Sequence, residues 1–180
     1  MTLAGSPMPQ SGSPVDTGTS SASDVGVSPT AAQSGPAFVA AASDANQFQI
    51  KAAQLAITKS QRDDVRAYAK RVLAEAQTSQ TSLLAALRNN ERTIKTPATA
   101  LSSVRTAQLK LLQEAPRGGF DNLYLTQAKQ VQKTAWSAYK DYAEDGTDLA
   151  LKQVASTAMP TIEQELGSGK ALIPAALAGG

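Results

Sequence analysis

Between Ser60 and Arg88 the apolar and small residues fall at Val65, Tyr68, Ala69, Val72, Ala76, Ser79, Leu83, Leu84 and Leu87. That three-and-four spacing marks one face of a long helix, and a strand would require strict alternation. Ser60 followed by Asp63 has the form of a capping box with aspartate in place of Glu or Gln, which predicts a helix starting there. The centre of the stripe, Ala76 to Gln80, is small and polar where a pure packing seam would carry leucine.

The same period recurs on both sides. Phe38, Ala42, Ala45, Gln49, Ala52 and Leu55 predict a first helix, with Pro36 in its first turn and an end near Thr58. The organising helix is expected to close at Asn89-Asn90, residues that accept the left-handed cap conformation, and Glu91 to Pro97 reads as a polar connection. A shorter helix is predicted to place Leu101, Val104, Gln108, Leu111 and Leu112 on one face. The run Pro116-Arg117-Gly118-Gly119 breaks the pattern, and Phe120-Asp121 opens a helix lasting to about Glu144. Its stripe is Leu125, Ala128, Val131, Gln132, Ala135, Tyr139 and Tyr142. Asp145-Gly146 turns the chain and Thr147 is the expected N-cap of the last helix. That helix aligns Leu151, Val154, Ala155, Ala158, Ile162, Glu165 and Leu166, and Pro160 inside it should kink it or locally break its hydrogen bonding. Four long amphipathic helices and one short one define an all-α chain built as an antiparallel four-helix bundle.

Composition sets limits on the chemistry. Aromatics are 4% and alanine inflates the 42% hydrophobic content, so the core should be thin, with close helices. With neither cysteine nor histidine, the chain has no thiolate, no imidazole base and no disulfide. A net charge of +2 does not suggest a nucleic-acid partner, and no apolar run approaches the ~20 residues of a membrane span. Residues 1–35 are a different material: Ser, Thr, Gly and Pro fill 21 of these 35 positions. This composition predicts a disordered tail, and without a basic start or an apolar core it is not a signal peptide. The bundle is expected over 36–172, with a flexible C-terminus at 173–180.

The order of landmarks resembles a known family. Phe38-Val39, Ala41-Ala42, Gln54-Leu55-Ala56, Lys59, Val65 and Tyr68-Ala69 are similar to its first two helices. Phe120-Asp121-Asn122-Leu123-Tyr124 looks like its FDxxY signature, and Ala155, Met159-Pro160 and Leu166 resemble its closing helix. The resemblance, over about Pro36 to Leu172, is to the bacterial domain of unknown function 4142. Its members are ferritin-like and are often described as outer-membrane or periplasmic proteins. It implies a ferritin-like bundle in the periplasm or cell envelope.

Members of that family carry a glutamate, an Asp-His pair and two further histidines at positions that fall here on Gln49, Glu75-Ala76, Gln132 and Glu165. Every histidine is replaced. The four residues Gln49, Glu75, Gln132 and Glu165 are therefore expected as a hydrogen-bonded polar layer across the core, without catalytic residues, cofactor or metal. Other polar features have bland readings. Lys70-Arg71 and Arg88/Arg92 are solvated faces, Asp63-Asp64 favours a helix dipole, and Gly167-Ser168-Gly169-Lys170 lacks the strand and spacing of a phosphate loop. Trp136, Tyr139 and Tyr142 read as core packing or a half-exposed aromatic edge. The expected function is a non-enzymatic helical bundle of the cell envelope that binds an unknown protein or envelope component. The alternative is a ferritin-like metal or redox protein with a degenerate carboxylate site.

Overall fold

The computed structural model describes residues 34–88 and 93–178, with side chains described through 173. The segment expected as a disordered tail lies outside the described residues apart from Ser34 and Gly35, as do Asn89-Asn90 and the start of the following connection. Among the described residues the fold has five helices and no strand: α1 (Gly35–Lys59), α2 (Asp63–Ala86), α3 (Ser103–Glu114), α4 (Arg117–Asp145) and α5 (Leu149–Ala178). The all-α bundle read from the periodicity is the observed architecture.

Short turns fix two antiparallel hairpins. Ser34 caps α1, its hydroxyl accepting from the Ala37 amide at 3.2 Å, with Pro36 in the first turn. The expected capping box at Ser60 does not form, because α2 starts at Asp63 with Arg62 at the cap position. Ser60 is buried in the turn instead, and its hydroxyl accepts from the Arg62 amide at 3.1 Å. Asp63 and Asp64 do occupy the first turn of α2. Between α4 and α5 the cap is Asp148 rather than Thr147, its carboxylate accepting from the Leu151 amide at 3.0 Å. Gly146 is required there: a Cβ would lie 2.5 Å from the Tyr142 ring.

Two helices begin or end beyond their expected limits. α4 starts at Arg117, since its first-turn amides need no helical partner and glycines in that turn cost little hydrogen bonding. α5 continues to Ala178, past Leu172, and Pro160 does not break it. Pro160 is exposed, and so is Ser156, whose carbonyl loses its partner and faces water.

The four long helices form a square. α1 neighbours α2 and α4, and α5 neighbours α4 and α2. Phe38 stacks on Tyr142 at 4.5 Å while Lys59 lies over Phe120, so α1 and α4 run antiparallel. Chain order is thus up, down, down, up, with one long crossover from α2 to α4 that includes α3. Asp44 of α1 anchors this crossover, accepting from the Ser102 amide at 2.8 Å and the Ser102 hydroxyl at 2.7 Å. α3 buries Leu112 and partly buries Leu109, while Leu101, expected on its face, is half-buried just before its start, and Val104 and Leu111 are 63% and 58% exposed. Their placement on the packed face is corrected: a single helix lying on α1 and α4 covers only a narrow stripe.

Aromatic clusters close both ends of the bundle. Phe38, Tyr139 and Tyr142 fill one, and Tyr68, Phe120 and Tyr124 the other. Between them the seam is mostly alanine, with Ala42, Ala45, Ala52, Ala53 and Ala56 of α1 all buried. The α2–α5 side is the sparsest of the four.

Candidate functional site

The small-and-polar run noted at Ala76–Gln80 faces this sparse side. Here the four sequence-predicted residues come together. Gln132 of α4 is fully buried, and its amide donates to the Gln49 carbonyl of α1 at 3.2 Å and to the Tyr68 hydroxyl of α2 at 2.9 Å. Tyr68 lies 3.4 Å from the Glu165 backbone carbonyl of α5, so the layer crosses all four long helices. Gly169, one turn further along α5, makes this possible: a Cβ there would sit 2.8 Å from the Tyr68 hydroxyl.

Glu165 is 4% exposed, and its carboxyl is hydrogen-bonded to that of Glu75. Burial first, then the hydrogen bond and charge of Glu75, push Glu165 up to about 9, against a weaker opposing pull from Arg71. At neutral pH Glu165 is therefore a carboxylic acid beside Glu75. Oε2 of Glu75 is buried without a hydrogen-bond partner. Burial also raises Tyr68 and Tyr139 to about 12 and Tyr124 well above its ordinary range, so the surrounding phenols are neutral.

Sequence reasoning missed a second polar cluster, nearer the start of α1. Asn46 donates to the Gln80 carbonyl at 3.1 Å, and the Gln80 amide donates to the Ser43 hydroxyl at 3.0 Å. The Tyr139 hydroxyl joins it through Ser79 and Asn46. The signal was present, since Ser43 and Asn46 directly follow the buried Ala42 and Ala45 in sequence. Trp136, by contrast, is half-buried and reaches Glu163 at 3.0 Å through its indole N–H.

A cavity of about 420 Å³ opens between α2 and α5, bounded by Gln49, Glu75 and Glu165, with Gln132 behind Gln49. Its wall also carries alanines, Val154 and Ile162, hydroxyls from Thr78, Ser82, Thr157 and Thr161, and the polar side chains of Asn46, Ser79, Tyr139 and Gln153. As a transition-metal site the donor set is poor: of its two carboxyls Glu165 keeps its proton, the remaining donors besides Glu75 are amide and hydroxyl oxygens, and the chain has no histidine or cysteine. No group of three or more Asp, Glu, His or Cys that could hold a metal occurs among the described residues.

Fold and site together define a histidine-free helical module: two hairpins, a long crossover and a polar layer beside a cavity. The chain belongs to the family described as a domain of unknown function (DUF4142), whose model matches residues 20–172. The solved structure of CopM in the Cu(II)-bound form is similar in fold, with a TM-score of 0.65. It is 13% identical to this chain, and the match covers 78% of this chain and 96% of that one. At that identity the likeness speaks for the fold alone. No curated protein matches the chain.

Proposed function

We propose that this chain is a non-enzymatic binding module of the bacterial cell envelope, and that the α2–α5 cavity is its ligand site. One observation carries the reading: a small-residue cavity ends on a buried carboxyl pair with an unsatisfied oxygen, an arrangement that costs stability unless something uses it. The non-enzymatic part is supported by the lack of imidazole and thiol and by neutral phenols around the site.

A neutral solvatochromic dye such as Nile red should brighten on binding the full chain. Ala158→Phe, which fills the cavity, should abolish the response without lowering helix content by circular dichroism. An unchanged response in that variant rejects the cavity as the site. The envelope location draws on the family resemblance; no helix among the described residues is long and apolar enough to cross a membrane. Fractionation of the native full-length gene product should place it outside the cytoplasm, and a purely cytoplasmic signal would end that part.

The single long crossover also suits a ferritin-like bundle, which keeps a degenerate metal or redox protein as the second reading. Stoichiometric iron or manganese in the purified chain would favour it.

A further inference from the structure

We infer that the cavity takes a small primary alkylamine, its ammonium seated on the Glu75–Glu165 carboxyl pair and its hydrocarbon body along the Ala76, Val154, Ala158 and Ile162 wall. This rests on the reading of the cavity as a ligand site.

The sign of the ligand's charge follows from the wall. Among the described residues the carboxyls lining the cavity are Glu75 and Glu165, and no lysine or arginine lines it. The buried, unpartnered Oε2 of Glu75 is an acceptor that lacks a donor. A carboxylate or phosphate ligand would bring more acceptors to a site already rich in them. An ammonium brings three donors and a compensating charge.

The number of charges follows from the proton. Two carboxyls face the cavity, Glu75 and Glu165, and Glu165 holds its proton, which leaves Glu75 as the one acid offered to a cation. That matches a monocation without any proton leaving. It falls short of what a divalent ion asks, since calcium gathers six to eight oxygens, several of them charged. A diamine finds no second acid on the wall.

The form of the cation follows from the lining. Among the described residues Tyr139 is the one aromatic lining the cavity, and its hydroxyl is engaged with Ser79 and Asn46. A quaternary ammonium, which has no N–H and depends on several aromatic faces, has no such cage here. A primary ammonium uses hydrogen bonds, and these the carboxyl pair and the Gln49 amide can accept. The alanine, valine and isoleucine surface then accounts for an alkyl body.

The test is calorimetric titration of the full chain at pH 7 with hexylamine, hexan-1-ol, hexanoate, hexyltrimethylammonium and calcium, alongside Nile red displacement. Hexylamine should bind at least about tenfold more tightly than hexan-1-ol, a difference of about 1.4 kcal/mol, and hexanoate should not bind. Glu75→Gln, at a half-exposed position, should erase the preference for amine over alcohol. Equal affinity for amine and alcohol, a preference that survives Glu75→Gln, or tighter binding of calcium or hexyltrimethylammonium overturns the inference. Dye binding without amine preference removes only this inference; absence of both dye and amine binding removes the cavity reading with it. Because the ligand series is run on the parent chain, it decides the matter even if the variant fails to fold.

Discussion

Replacing Glu165 by glutamine should raise the unfolding free energy at pH 7 by about 2–3 kcal/mol and flatten the dependence of stability on pH. The native carboxyl is pushed up to about 9, whereas the unfolded chain restores the ordinary value of 4.5. Below the unfolded value both states hold the proton and the group imposes no penalty. As pH rises above it, the unfolded chain releases a proton that the native chain keeps, so stability falls. The fall continues until the native carboxyl ionises near 9. An amide has the same shape, can still donate to Glu75, and gains nothing from unfolding. Urea denaturation of both proteins at pH 5, 7 and 9 would show the curves diverging with pH. Parallel curves, or a less stable variant at pH 7, would remove the buried-acid account.

Phe38→Ala should cost about 3–5 kcal/mol, because it empties the aromatic cluster that closes one end of the bundle. Phe38 is 1% exposed, stacked on Tyr142 and tilted against Tyr139 at 5.4 Å. Tyr139 lines the cavity, so loss of its neighbour should also loosen that wall. Val104→Ala and Leu111→Ala, equally apolar changes at exposed positions of α3, should stay within about 0.5 kcal/mol. Chemical denaturation of the three variants compares them directly. A loss below about 1 kcal/mol for Phe38→Ala would mean that the end cluster is not a main source of stability.

The long helices were legible because their stripes obey one rule. Every stripe residue from Leu125 to Tyr142 in α4 is buried, and so are Val65, Tyr68, Ala69, Val72, Ala76 and Leu83 in α2. α3 was misread because periodicity records which residues share a face, not how much of it a neighbour covers. Cap positions were missed by one or two residues where several candidates stood together: Ser60 beside Arg62, and Thr147 beside Asp148. The polar layer was legible through the family resemblance, whose polar positions fall on Gln49, Glu75, Gln132 and Glu165, and three of these also stand on apolar stripes, where a polar side chain must find partners. Its hub was not. Tyr68 reads equally well as a core aromatic, and only the approach of Gly169 from a distant part of the chain turns its hydroxyl into a junction.

The alanine seam of α1 has a consequence for how this fold can diversify. Ala42, Ala45, Ala52, Ala53 and Ala56 leave no spare volume, so a larger side chain there must push backbones apart, at about 1–3 kcal/mol. Ala150, Val154 and Ala158 border open space, where added bulk reshapes the cavity before it strains the bundle. Stability and selectivity are thus lodged in opposite walls of one molecule, and the second can be retuned while the first is left alone.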